Sequence, residues 1–156
     1  MDLTVAAVGT RMPSWVQEAW SEYAKRFPRG YALQLKEITL ARRARNADVS
    51  ALQRAEGEAL LAAVPAGHRI IALDERGRQW STADLAAQME NWMQQEHGVC
   101  FLVGGPDGLP ESCRQRAQNV WALGKLTLPH PMVRAILAEQ LYRAWTVTQN
   151  HPYHRS

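Results

Sequence analysis

The chain has 156 residues, 46% of them apolar and 21% charged, with a net charge of +3. That length suits one compact domain, which buries about 70% of the surface its unfolded form exposes, and the ordinary charged share argues against disorder. No apolar run approaches the ~18 residues of a membrane span, and the opening MDLTVAAVGTRMP has neither the basic region nor the long apolar region of a signal peptide.

That opening reads instead as a short buried strand over 3–9, closed by a glycine. PSWVQEAWSEYAKRF (13–27) begins with proline at a helix start. It sets Trp15, Ala19, Tyr23 and Phe27 at four-residue steps, with Val16, Trp20 and Ala24 alongside, as one apolar face. YALQLKEITL (31–40) has strand character, and a loop with Arg42, Arg43 and Arg45 follows. A helix over 48–64 starts at Asp48, a plausible N-cap; its Glu56 and Glu58 point apart and are read as solvated. RIIALD (69–74) is a compact strand. In the helix over 81–96, Ser81 and Asp84 have capping-box spacing and Leu85, Met89, Trp92 and Met93 share a face.

VCFLV (99–103), the most apolar strand, runs into GGPDGLP, and a short helix forms near ESCRQRAQ. Leu123 to Leu128 looks extended, with Gly124 interrupting it. The last helix, roughly 131–149, turns Val133, Ile136, Leu137, Leu141, Ala144, Trp145 and Thr148 inward. Strands alternating with helices predict an α/β fold, a mostly parallel sheet flanked by helices, in one domain without repeats or linkers. Cys100 and Cys113 form no CxxC pair and read as ordinary buried or half-buried thiols.

Open parallel sheets bind ligands beyond the carboxyl ends of their strands. Three loops qualify: after RIIALD, after VCFLV, and around WALGKLTLPHP. Gly104, Gly105 and Gly108 would let a ligand approach the main chain, or would simply turn it. GxGxxG, GxxxxGK[ST], GxSxG and HExxH are all missing, which disfavours dinucleotide-binding, P-loop, α/β-hydrolase and zinc-protease chemistry. Pro129 and Pro131 make a stiff corner around His130, suited either to holding a flat ring by main-chain hydrogen bonds or to capping a helix. Charge is uneven: residues 1–110 hold 12 Lys/Arg against 13 Asp/Glu, whereas 111–156 hold 6 against 2. An anionic partner such as nucleic acid would be drawn to that end, unless it is merely a solvated face.

VAAVGTRMPSWV, VGGPDGL, LTLPHPMVRAILAEQLYRAW and the terminal HPYHR together closely resemble the RlmH family, SPOUT-class methyltransferases that act on N3 of a pseudouridine in large-subunit (23S) ribosomal RNA. The resemblance covers residues 1–156. It implies a single SPOUT methyltransferase domain with a deep C-terminal trefoil knot, the knotted cofactor-binding part spanning about 70–156. It implies a cytoplasmic homodimer that completes its active site across subunits, acts on the ribosome, contacts no membrane, and uses S-adenosylmethionine as methyl donor without a metal. Carried over by position, the donor site comprises Leu73, Gly104, Leu123, Gly124, Lys125, Leu126, Thr127 and Leu128. Some relatives have serine where Gly124 stands, so a hydroxyl contact there would be absent.

The chemistry moves a methyl group from a sulfonium to an imide nitrogen that must first lose its proton. His154 could accept that proton. Arg155 could pair with phosphate or a developing anion, and Tyr153 could stack on the base or hydrogen-bond it. His130 and Arg143 form a second line, with helix-start packing and an interface ion pair as their respective alternatives. His151 is read as structural. The rival readings are a SPOUT enzyme with another RNA target, a 2′-hydroxyl or another base, and a non-catalytic ribosome-binding module.

Overall fold

The computed structural model describes residues 1–40, 42, 44–95 and 97–154. Five strands, β1 (Leu3–Val8), β2 (Leu33–Ile38), β3 (Arg69–Gln79), β4 (Val99–Val103) and β5 (Asn119–Ala122), form one sheet in the order β2-β1-β4-β3-β5. Every pairing is parallel. Among the described residues five helices cover it: α1 (Ser14–Ala24), α2 (Val49–Ala63), α3 (Thr82–Gln94), α4 (Glu111–Arg116) and α5 (His130–Thr148), followed by a 3-10 turn at Pro152–His154.

The central strands β1 and β4 are buried at every position because both sheet faces are covered, which explains their unbroken apolar runs. Side chains alternate between two cores. Leu3, Val5, Ile71 and Phe101 meet Trp20 of α1, Met89 and Trp92 of α3, and Leu137 and Leu141 of α5. Ala6, Val8, Ile70 and Leu102 meet Leu60 of α2 and Cys113 of α4 on the opposite face. Both cysteines are free and buried, as expected, and burial pushes each thiol up to about 11.

The anticipated caps are present. Asp48 accepts from the Ala51 amide at 3.2 Å. Ser81 and Asp84 close a reciprocal box, the Asp84 amide donating to Ser81 Oγ at 3.0 Å and the Ser81 amide to Asp84 Oδ2 at 2.9 Å. Among the described residues no helix is long and apolar enough to cross a membrane.

Several expectations need correction. The strand begun by RIIALD continues to Gln79, because Arg78 and Gln79 return to β5 by backbone pairing rather than through apolar side chains. Leu73 and Arg78 both lie opposite Trp121, so residues 74–77 form an excursion between them. Gly77 permits it: a Cβ there would stand 2.6 Å from the Val120 carbonyl. Leu123–Leu128 is not strand; the extended segment is Asn119–Ala122, and the chain beyond it is a loop. Glu56 is buried, 5% exposed, rather than solvated, while Glu58 is exposed as read. On α1, Trp15 is 48% exposed although Val16 and Trp20 are buried, so the apolar face is narrower than its spacing suggests.

On α5, Leu137, Leu141 and Ala144 are buried as expected, whereas Val133, Ile136, Trp145 and Thr148 are only half-buried. The stripe instead contains Arg134, 1% exposed. Its guanidinium donates to Glu37 Oε2 at 2.7 Å, to the Gly9 carbonyl at 2.7 Å and to the Val8 carbonyl at 3.3 Å. One side chain thereby ties the carboxyl ends of β1 and β2 to the first turns of α5. Gly9, at φ +115°, lets the chain leave β1 beside it.

Candidate active site

A cleft of about 780 Å³ opens beyond the carboxyl ends of β3, β4 and β5. Its walls are the three loops singled out by sequence. The loop after β4 doubles back on itself: the Gly108 amide donates to the Gly105 carbonyl at 3.0 Å, with Gly108 at φ +76°. Gly104 makes this possible, since a Cβ there would lie 2.6 Å from the Gly108 carbonyl carbon. Gln53 of α2 reaches across and donates to the Asp107 carbonyl at 2.8 Å.

The excursion of β3 supplies the second wall. Leu73, 9% exposed, lies at its start, and Asp74 bends the next turn of chain by accepting from the Arg76 amide at 2.8 Å. The loop after β5 supplies the third, with Leu123, Gly124, Leu126, Thr127 and Leu128 all lining the cleft. Leu126 is 80% exposed, an aliphatic side chain held in water at the cleft's edge. Nothing lies within 4 Å of a Cβ built on Gly124, so the main chain is open there. Thr127 Oγ1 donates to Glu75 Oε2 at 3.4 Å and joins the first wall to the third. Lys125 is exposed and is the one member of the expected donor set that does not line the cleft.

This set fits an adenosyl group: leucine walls for a flat ring and accessible backbone at Gly124. His130 also lines the cleft, at the start of α5. Its Nδ1 is buried without a hydrogen-bond partner. Burial, and secondarily the Arg134 guanidinium, lower its pKa, so the imidazole stays neutral at pH 7. Among the described residues, no group of three or more His, Cys, Asp or Glu side chains is placed to hold a metal ion.

The tail lies elsewhere on the same chain. Tyr153 donates from its hydroxyl to Glu139 Oε1 at 3.0 Å, and its ring meets Tyr142 edge-on at 4.9 Å between centroids. Arg143 pairs with Glu139 at 2.7 Å and sits 5.0 Å from the Tyr153 ring. Burial, with hydrogen bonding to Tyr23 and Glu139, raises the Tyr153 pKa, so this phenol keeps its proton near neutrality and is no proton acceptor. Exposed His151 has a structural task, its Nδ1 accepting from the Tyr153 amide at 3.1 Å. His154 is half-buried with Nδ1 unpartnered, and Arg155 lies outside the described residues. Glu139 is nine positions along α5 from His130, ~14 Å at 1.5 Å per residue. The residues expected to hold the donor, Lys125 apart, and His130 are thus together, and Tyr153, His154 and Arg143 are not with them in this chain.

Sequence reasoning missed Gln53, Asp74, Arg114 and Arg134. Only Arg134 left a signal, as a charge inside an apolar stripe at helical spacing. The bonds that bring the others to the cleft, Gln53 to Asp107 and Arg114 to Asp74, span 40 or more positions.

A parallel α/β sheet with a glycine-lined cleft beyond its strand ends has the layout in which open sheets of this class take their ligands. Residues 1–154 match the family described as "Predicted SPOUT methyltransferase". The chain belongs to the SPOUT methyltransferase family. It is 52% identical over 155 residues to "Ribosomal RNA large subunit methyltransferase H" of Marinomonas sp. (strain MWYL1), covering 99% of this chain and 100% of that one. The protein of the same name from Methylococcus capsulatus is 51% identical over the same shares. In fold, the chain is similar to a probable methylase family protein from Haemophilus influenzae, with a TM-score of 0.57 and 12% identity over 97% of this chain and 69% of that one.

Proposed function

We propose that this chain is an S-adenosylmethionine-dependent methyltransferase that methylates N3 of a pseudouridine in 23S ribosomal RNA, acting in the cytoplasm on assembled ribosomes. The observation that carries the reading is end-to-end identity above one half with relatives named as large-subunit ribosomal RNA methyltransferases. The whole chain works as one domain, and residues from about 70 onward form the donor-binding part. There the trefoil knot expected of the family is formed by the β5–α5 segment; the crossed strand order β4-β3-β5 supports it.

The bound donor supplies an already activated methyl group, so the protein's work is positioning and proton removal. Leu73, Leu123, Leu126 and Leu128 exclude water around the adenosyl group, Gly124 leaves main chain free to meet it, and Gly104 lets the loop after β4 fold back to form its wall. Lys125, pointing to solvent, is available to RNA phosphate instead. Holding the acceptor nitrogen against the methyl carbon lowers the barrier by several kcal/mol, and a base contributes ~10²–10⁴-fold. His154 takes the N3 proton, Arg155 faces the developing anion or a phosphate, and Tyr153 anchors both. His130, neutral at the cleft, is the second candidate acceptor, and Arg143 steadies the anchor through Glu139. The distance between tail and cleft within one chain supports a homodimer in which each tail serves the partner's cleft.

The test is methylation of ribosomes from a strain lacking the gene, read by mass spectrometry of the nucleosides. Methyl at N3 of a pseudouridine is expected, with strong losses for His154→Ala and Arg155→Ala. Methyl on a 2′-hydroxyl or another base would reassign the target. No transfer and no donor binding by calorimetry would make the chain a ribosome-binding module.

A further inference from the structure

We propose that Arg114 is a positioning residue for the methyl donor, a strut that fixes two of the three cleft loops relative to each other. The inference rests on the cleft being the donor site. Arg114 is on α4, directly after the glycine loop. From there Nη1 donates back to the Leu109 carbonyl at 2.8 Å and across to Asp74 Oδ2 at 3.3 Å, while Nη2 meets Glu111 Oε2 at 2.5 Å. The side chains of Arg114 and Asp74 are only 15% and 9% exposed, whereas that of Glu111 is 67% exposed. The Asp74 bond is therefore the shielded one, and the Glu111 pair is a solvent-side orienter of small weight.

Asp74 is well placed to pass this constraint on. Its other oxygen accepts from the Arg76 amide and shapes the excursion that starts just after Leu73. One carboxylate thus shapes the β3 wall, and one guanidinium locks that wall to the loop begun by Gly104. A six-residue helix cannot hold its own position. On its far side α4 is seated by Gly57, where a Cβ would collide with Pro110 Cγ. On the cleft side the strut is what fixes it. A planar fork can meet a carbonyl and two carboxylates at once, and an ammonium cannot reproduce that geometry.

Calorimetric titration of the purified full chain with S-adenosylmethionine tests this without RNA. Arg114→Ala should weaken binding roughly ten- to a hundredfold, the equivalent of one charge-assisted hydrogen bond, and Arg114→Lys should recover only part of it. Asp74→Asn should show a similar defect, and the double variant should bind no worse than the weaker single one, because both remove the same link. On ribosomes, KM for the donor should rise while kcat at saturating donor stays within a few-fold. Wild-type affinity in both Arg114 variants, additive losses in the double variant, or a fall in kcat with KM unchanged would each overturn the strut. Should Arg114→Ala fail to fold, Arg114→Lys and Asp74→Asn still decide. Failure of the wild-type chain to bind the donor would instead remove the donor-site reading, and the strut with it.

Discussion

Arg134 shows how one residue can set the geometry of a site it does not enter. Its charge is fully buried, yet it meets a carboxylate and two carbonyls at the ends of β1 and β2. Arg134→Met would remove the guanidinium donor from those carbonyls, while Glu37, one-third exposed, could turn toward water. The expected loss is about 2–3 kcal/mol of stability, from unsatisfied buried acceptors, checked by urea unfolding. His130, beside it, carries a pH signature. Its folded pKa lies below the ordinary 6.5, so the unfolded chain binds the proton more readily. Stability should be full above pH 6.5 and should fall as pH drops from there through the lowered folded value. Thermal melts between pH 7.5 and 5 should show this slope, and His130→Gln should flatten it. Little of either effect is legible in the sequence: Arg134 shows only as a charge in an apolar stripe and the proline-flanked histidine only as a corner, because their surroundings depend on the strands that α5 crosses.

At the scale of elements, the two halves of β3 were unequally readable. RIIALD announces itself through apolar density, but after the excursion Arg78 and Gln79 rejoin the sheet through main-chain pairing with Trp121 and Ala122, which periodicity cannot register. Gly77 and Gly124 look alike in the sequence and differ in consequence. Gly77→Ala would force a methyl group against the Val120 backbone and should lower the melting temperature by several degrees, as expected for a core strain of ~1–3 kcal/mol. Gly124→Ala meets nothing and should melt as wild type, changing only donor affinity. The tail is the other instructive element. Its chemistry was visible as HPYHR, but its docking on Glu139 and Tyr142 was not, because those partners are on a preceding helix. Tyr153→Phe keeps the ring and removes the hydroxyl bond to Glu139. Methylation should fall several-fold, in line with about 1 kcal/mol for one hydrogen bond, with donor affinity unchanged by calorimetry.

At the scale of the whole molecule, alternating strands and helices were enough to give a parallel sheet covered on both faces, since no other arrangement buries so many continuous apolar strands. The order of those strands was not deducible, and the order is what gathers loops from residues 74, 104 and 123 around one cleft. The basic balance of residues 111–156 suits a polyanionic partner. Of the three loop arginines, Arg42 and Arg45 are exposed, and Arg43 lies outside the described residues. Replacing all three with alanine should weaken ribosome binding and flatten its dependence on salt; binding unaltered at every ionic strength would mark them as an idle surface. The strand order has a last consequence, for biosynthesis. β1 is made first, yet its inner neighbour β4 emerges some 90 residues later, and β3 lacks β5 until Ala122 has appeared. A nascent chain halted before Val99 therefore holds the β1–β2 pair, a β3 without either strand neighbour and helices α1 to α3, but lacks the β4, β5 and α5 that complete their packing. Such a fragment should be protease-sensitive and dependent on chaperones, and cooperative folding should set in only once translation is nearly finished.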